Sequence, residues 1–181
     1  MTSQGNVVLH NAEYEIIDQD PHFSRVVKYF RGSDYLKIAA FAASGPLFLA
    51  ALSGFSSGGK KFHVSPRMFR WSTGLGLTAG FLNQYGVSSL RFQGINENAR
   101  EVALDRYEIK SRLARGEAPY GESRMPEWIQ NTAARNSTYS FLNISVIPWF
   151  NLVNHNHHGV SLDRYYETRP GEEKWGFDLK K

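Results

Sequence analysis

Three histidines, His155, His157 and His158, form the tightest set of potential metal ligands in the 181-residue chain. Imidazole nitrogens suit zinc or copper, but a closed zinc site needs four ligands. The chain has no cysteine, and the local cluster offers no clear fourth ligand. These histidines are therefore expected to be exposed or in contact with a partner, not holding a metal. Gly54-x-x-x-x-Gly59-Lys60 approaches a phosphate-binding loop, but Lys61 occupies the position where a Ser or Thr would meet magnesium. Gly74-x-Gly76-x-x-Ala79 imitates a dinucleotide fingerprint, yet no strand pattern precedes it and the next acid is Glu97. The missing cysteines exclude disulfides, thiolate nucleophiles and cysteine-ligated iron–sulfur clusters. The sequence thus offers no catalytic residue, cofactor-binding residue or metal site. The sequons at Asn136 and Asn143 carry meaning only in a secreted chain.

Charge and hydropathy are unevenly spread. The mean hydropathy of −0.42 resembles that of a water-soluble protein, but two long runs carry no charge at all. Residues 1–22 contain Glu13, Glu15, Asp18 and Asp20 and no basic residue, for a charge of −4. Residues 23–70 hold eight Lys or Arg against Asp34, for +7. These basic residues flank apolar runs instead of forming one stripe, which fits a membrane interface and not nucleic acid. The first residues lack the apolar core of a secretory signal and the arginines of a mitochondrial presequence, so any import information is expected to be internal.

The uncharged runs are Ile38–Gly59, 22 residues, and Trp71–Leu90, 20 residues. About 20 apolar residues cross a bilayer as a helix, so both qualify by length, with spans expected near 36–57 and 69–90. Both are rich in Ala, Gly and Ser, which let helix backbones approach closely in lipid. Ala50 and Gly54 in the first run, and Gly76-x-x-x-Gly80 in the second, are the expected helix-packing residues. Asn83 and Gln84 call for a protein neighbour. Tyr35, Phe62, Phe69, Trp71 and Phe92 stand where interface aromatics anchor spans. Ser33 is the expected N-cap of the first helix, with Asp34 in its first turn and Gly58-Gly59 as its stop; Ser65-Pro66 opens the second.

The flanks predict shorter elements. Asp20-Pro21 is a helix start, after which Phe23, Val26, Val27 and Phe30 make one apolar stripe beside Arg25, Lys28 and Arg31. Such a helix suits a membrane surface or a partner subunit. Asn98 and Glu101 have capping-box spacing for a charged helix ending at Gly116. Residues 116–135 read as loop, Tyr139–Val153 as an extended or interfacial packing segment, and the last 18 residues as a polar tail.

Two stretches resemble a known family. The run DPHFSRVVKYFRGSDY, Asp20 to Tyr35, and GFLNQYGVSSLRFQGINENAREV, Gly80 to Val102, are similar to the 21-kDa accessory subunit of fungal mitochondrial complex I, with related subunits in plants. The similarity covers roughly residues 10–115; MPEWIQNTAARNSTYSFLN resembles the family's fungal extension. The resemblance implies an inner-membrane subunit of NADH:ubiquinone oxidoreductase outside the catalytic core, with no catalytic or cofactor residue to carry over; the two uncharged runs would make it multi-pass. Its implied partners are other complex I subunits and membrane lipids.

The organisation expected is a mainly α membrane protein. Residues 1–32 form an extramembrane segment with an amphipathic helix, 33–92 a two-helix transmembrane hairpin, and 93–181 an extramembrane helix and a largely irregular, extended tail. The expected role is accessory, in assembly or stability of the complex; the alternative is an assembly factor or another small structural component of an inner-membrane complex.

Overall fold

The computed structural model describes residues 12–54, 56–57, 60–61, 63–137, 148–177 and 179. Phe62, Gly58-Gly59, Asn143 and most of the Tyr139–Val153 segment therefore lie outside the described residues. The chain is mainly helical: α1 (Phe23–Lys28), α2 (Gly32–Gly54), α3 (Pro66–Phe92), α4 (Ala99–Ala114) and α5 (Glu127–Ser137), with short 3-10 turns at Leu162–Tyr165 and Glu173–Trp175. Between α2 and α3 the two-residue strands β1 (Ser56–Ser57) and β2 (Lys60–Lys61) pair antiparallel. The residues fall into two compact units, one drawn from 1–29, 87–143 and 149–181, the other from 30–86 and 144–148.

In the second unit α2 begins one residue earlier than its Ser33 signal. The Asp34 carboxylate reaches back to accept from the Arg31 backbone N–H at 2.8 Å. That bond satisfies a donor the helix leaves free, and places an acid in the first turn, where the helix dipole favours it. Pro46 sits inside α2 without ending it, and the helix stops at Gly54, short of the expected glycine pair. Ser65 opens α3 as its spacing predicts, its carbonyl accepting from Met68 N–H at 3.0 Å.

Among the described residues α2 is the one helix long and apolar enough to cross a membrane, with a mean hydropathy of 1.6 over its best window, none of it buried within the chain. The two-span reading is thus carried by one helix only. Although α3 runs 27 residues, its Ser, Thr, Asn and Gln side chains dilute the apolar content that its uncharged length implies. Leu36, Leu47 and Phe48 of α2 point into open space. On another face, α3 meets α2 through glycines: a Cβ at Gly80 would lie 2.8 Å from Phe41 Cβ, and one at Gly45 would lie 3.0 Å from Ser72 Cβ.

The first unit closes around Ile17, Val26, Tyr29, Phe92, Ile109 and Tyr165, all buried. His22, not Asp20-Pro21, caps α1, its ring accepting from Ser24 N–H at 3.2 Å. The start is displaced because Asp20 has another task, described below. The Asn98–Glu101 capping box does not form. Asn98 instead donates to the carbonyls of Glu15 and Arg91, both at 2.7 Å, joining the N-terminal strap to the end of α3. Gly116 ends α4 with φ at +71°, a conformation that favours glycine. The expected loop 116–135 holds most of α5, which starts directly after Pro126 and runs on to Ser137.

Candidate functional site

The chemistry-bearing side chains gather in the first unit, on four segments distant in sequence. Residues 14–20 form a strap whose backbone follows the end of α3: Tyr14 N–H donates to Gly94 O at 2.9 Å, and Ile17 N–H to Phe92 O at 2.8 Å. This strap presents the acids. Asp18 is wholly buried and accepts from Arg25 Nη1 at 3.0 Å and from His158 Nδ1 at 2.9 Å. Burial alone would raise its pKa; the charges and hydrogen bonds of His158 and Arg25 outweigh burial and hold the carboxyl below its ordinary range.

Arg25 carries the network onward. Its second amino group pairs with Asp105 of α4, which also accepts from Tyr165 Oη at 2.7 Å. Burial and the nearby Asp105 push the Tyr165 phenol far above its ordinary value, so it stays a donor. Beside it, Arg164 donates from Nη2 to Ile17 O at 2.8 Å, which ties the C-terminal segment to the strap.

On the same helix, Arg106 and Lys110 bind Glu172, Lys110 Nζ at 2.8 Å, and the Glu172 carboxylate also accepts from Arg169 N–H at 3.0 Å. Desolvation opposes the charge of Glu172, but the Arg106 and Lys110 hydrogen bonds prevail and lower its pKa to about 2. Arg169 grips Glu15 with both amino groups, at 2.7 and 2.9 Å. The expected polar tail is therefore a docked strap, because its acid and its arginines complete charges buried on α4 and on residues 14–18.

The histidine cluster is also placed differently from expectation. His155 Nε2 bonds Asp20 at 2.6 Å, with its Nδ1 accepting from His157 N–H at 3.1 Å. With a backbone donor at Nδ1, Nε2 is the nitrogen that donates to Asp20. His155 and His158 are buried, and only His157 turns outward, to Asn131 at 3.1 Å. The three rings face three different partners, and no group of three or more His, Cys, Asp or Glu converges as metal ligands would among the described residues.

On the basic side of α1, Arg25 is committed to protein, whereas Lys28 stays largely exposed. Arg25 serves two carboxylates, and Lys28 meets Glu108 at 3.1 Å. Of the four glycine and alanine positions singled out for packing, Gly76 and Gly80 lie against α2, where a Cβ at Gly76 would overlap the Phe41 carbonyl oxygen; Gly54 has no neighbour within 4 Å and Ala50 is exposed.

Every strong acid of this network is bonded to one or more cations or rings, and the outcome is a set of clamps between distant segments. Comparison with known proteins gives that set its context. Residues 11–97 match the family described as NADH-ubiquinone oxidoreductase complex I, 21 kDa subunit, and residues 106–181 match the C-terminal family of the same subunit. The NADH-ubiquinone oxidoreductase 20.9 kDa subunit of Neurospora crassa is 43% identical over 162 residues, covering 90% of this chain and 86% of that protein.

The chain belongs to the 21 kDa subunit family of NADH-ubiquinone oxidoreductase.

The clamps join the two stretches that characterise this family. Asp18, Asp20 and Arg25 lie in the first; Arg106, His155, His158, Tyr165 and Glu172 lie in the second. Asp105, which bridges Arg25 to Tyr165, falls immediately before the second stretch. The charge count holds the one visible trace of this in the sequence: the acidic first 22 residues precede a basic block that begins at Arg25.

Proposed function

We propose that the chain is an accessory, non-catalytic subunit of mitochondrial complex I, seated in the inner membrane and contributing to assembly or stability of the complex. The observation that carries the reading is the pairing of family membership with a site whose ionic groups are engaged in holding segments together. A catalytic acid or base must be free to exchange a proton with substrate; Asp18, Asp105 and Glu172 are each held by two or more protein groups. The bare apolar surface of α2 supports contact with lipid and with helices of neighbouring subunits. On this reading α3 also crosses the bilayer, its less apolar surface partly covered by α2 through Gly76 and Gly80 and partly by neighbouring subunits.

The test is a native gel of solubilised mitochondrial membranes, with deletion of the gene in parallel. The chain co-migrates with NADH dehydrogenase activity of the full-size complex, and its loss lowers the amount of complex more than the turnover of the remainder. Normal abundance with abolished turnover would overturn the structural role. Presence in partial assemblies alone, and absence from the mature complex, would make the chain an assembly factor.

A further inference from the structure

We propose that the cavity lined by α1 and α4 in the first unit is a binding site for a phosphate group. The cavity encloses about 320 Å³, within the size range of small-ligand sites. At its wall Lys28 Nζ and Arg112 Nη2 approach the same carboxylate oxygen, Glu108 Oε1, at 3.1 and 3.3 Å. An ammonium carries three donors and a guanidinium five, so one oxygen saturates neither, and two cations face one acid. Arg25, deeper in the wall, adds no surplus, because Asp18 and Asp105 meet its charge. The unmatched positive charge therefore belongs to Lys28 and Arg112, both of which line the cavity.

A second, independent observation points to a ligand. His158 lines the same cavity and is 5% exposed. Its Nδ1 is committed to Asp18, while its buried Nε2 has no hydrogen-bond partner among the described residues. A buried polar atom left unpaired is costly and usually marks a missing partner. A phosphate answers both needs. Its oxygens accept from Lys28 and Arg112, and a monoester, whose second proton leaves near pH 6, offers His158 either an acceptor oxygen or a hydroxyl. The source is a phospholipid headgroup or a soluble phosphate; the sequence sets Lys28 four residues before the first residue of α2. The inference does not depend on membership of an assembled complex.

The full chain, purified in neutral detergent, is followed by hydrogen exchange of peptides covering residues 22–28 and 108–121. Two probes are titrated separately: inorganic phosphate, and phosphatidylcholine nanodiscs with or without phosphatidic acid. Protection by phosphate alone assigns a soluble ligand, and protection requiring phosphatidic acid assigns a headgroup; either supports the site. The Lys28→Gln/Arg112→Gln variant weakens binding about tenfold or more, as expected for lost charge-assisted bonds. Glu108→Gln, which removes the competing carboxylate, tightens it, a gain that damaged folding does not imitate. No protection by either probe, or unchanged binding in both variants, overturns the proposal.

Discussion

The carboxylate of Asp18 accepts from the ring of His158 at 2.9 Å, across 140 residues of chain. Both side chains are buried. The neighbouring backbone reinforces the pair, Gln19 N–H donating to His158 O at 3.0 Å. Together with His155 and Asp20 this makes a double clasp between the N-terminal strap and residues 155–158.

Breaking that clasp from one side leaves charge without a counterpart. Asp18→Ala strands the His158 ring and leaves Arg25 with Asp105 alone, and is expected to destabilise the first unit by about 3 kcal/mol or more, the usual cost of opening a buried pair. Denaturant unfolding of the purified chain, read by hydrogen exchange in residues 14–20 and 155–165, measures it. A loss below about 0.5 kcal/mol, the scale of an exposed pair, contradicts the assignment.

Acid should release the C-terminal strap. The Glu172 pKa is lowered from 4.5 to about 2 in the folded chain. The stability this contributes is full above pH 4.5 and disappears as pH falls through about 2. Asp18 is shifted in the same direction. Limited proteolysis at a series of pH values, using an acid-active protease, is expected to show residues 164–177 becoming cleavable across that window. In Glu172→Gln they are more cleavable at neutral pH, and the acid-dependent increase is smaller.

Two glycines of α3, two residues apart, should respond oppositely to the same change. Gly76→Ala drives a methyl group into the Phe41 carbonyl and should push α3 away from α2. Gly74 has no neighbour within 4 Å, so Gly74→Ala gains helix propensity of roughly 1 kcal/mol. Thermal unfolding of the full chain, together with the yield of each variant in the complex, separates them; equal behaviour sinks the close-packing assignment.

The absence of cysteine makes topology directly measurable. Single cysteines placed at His63 and at Trp128 are labelled with an impermeant maleimide in intact mitoplasts. If α2 and α3 both cross, the two positions react from opposite sides of the membrane. Labelling of both from one side shows that only one of those helices, or neither, spans.

Legibility in the sequence followed the distance over which each signal acts. The start of α3 at Ser65-Pro66 and the end of α4 at Gly116 are set by neighbouring residues, and were readable within a few residues. The helix α5 was equally local, with Pro126 before Glu127 marking its start, but the surrounding glycines and charges obscured it. The clasp was not readable. His155 and His158 look like polar surface residues in a one-dimensional reading, because the acids that bury them lie more than a hundred positions away. Arg106 and Lys110 likewise read as the exposed side of a charged helix, until Glu172 from the C-terminal strap is placed on them.

The second unit is inserted, along the chain, within the first. Translation and membrane import both deliver a protein progressively from one end. Asp18 and Arg25 emerge early, yet His158, Tyr165 and Glu172 arrive only after the intervening helices have been made. Until then the strap acids stay hydrated, since burying them unpaired costs several kcal/mol. Closure of the clasp thus acts as a completeness check: a message cut short before codon 172 yields a product that displays open charges where a finished one is sealed, and that difference is available to proteolytic surveillance.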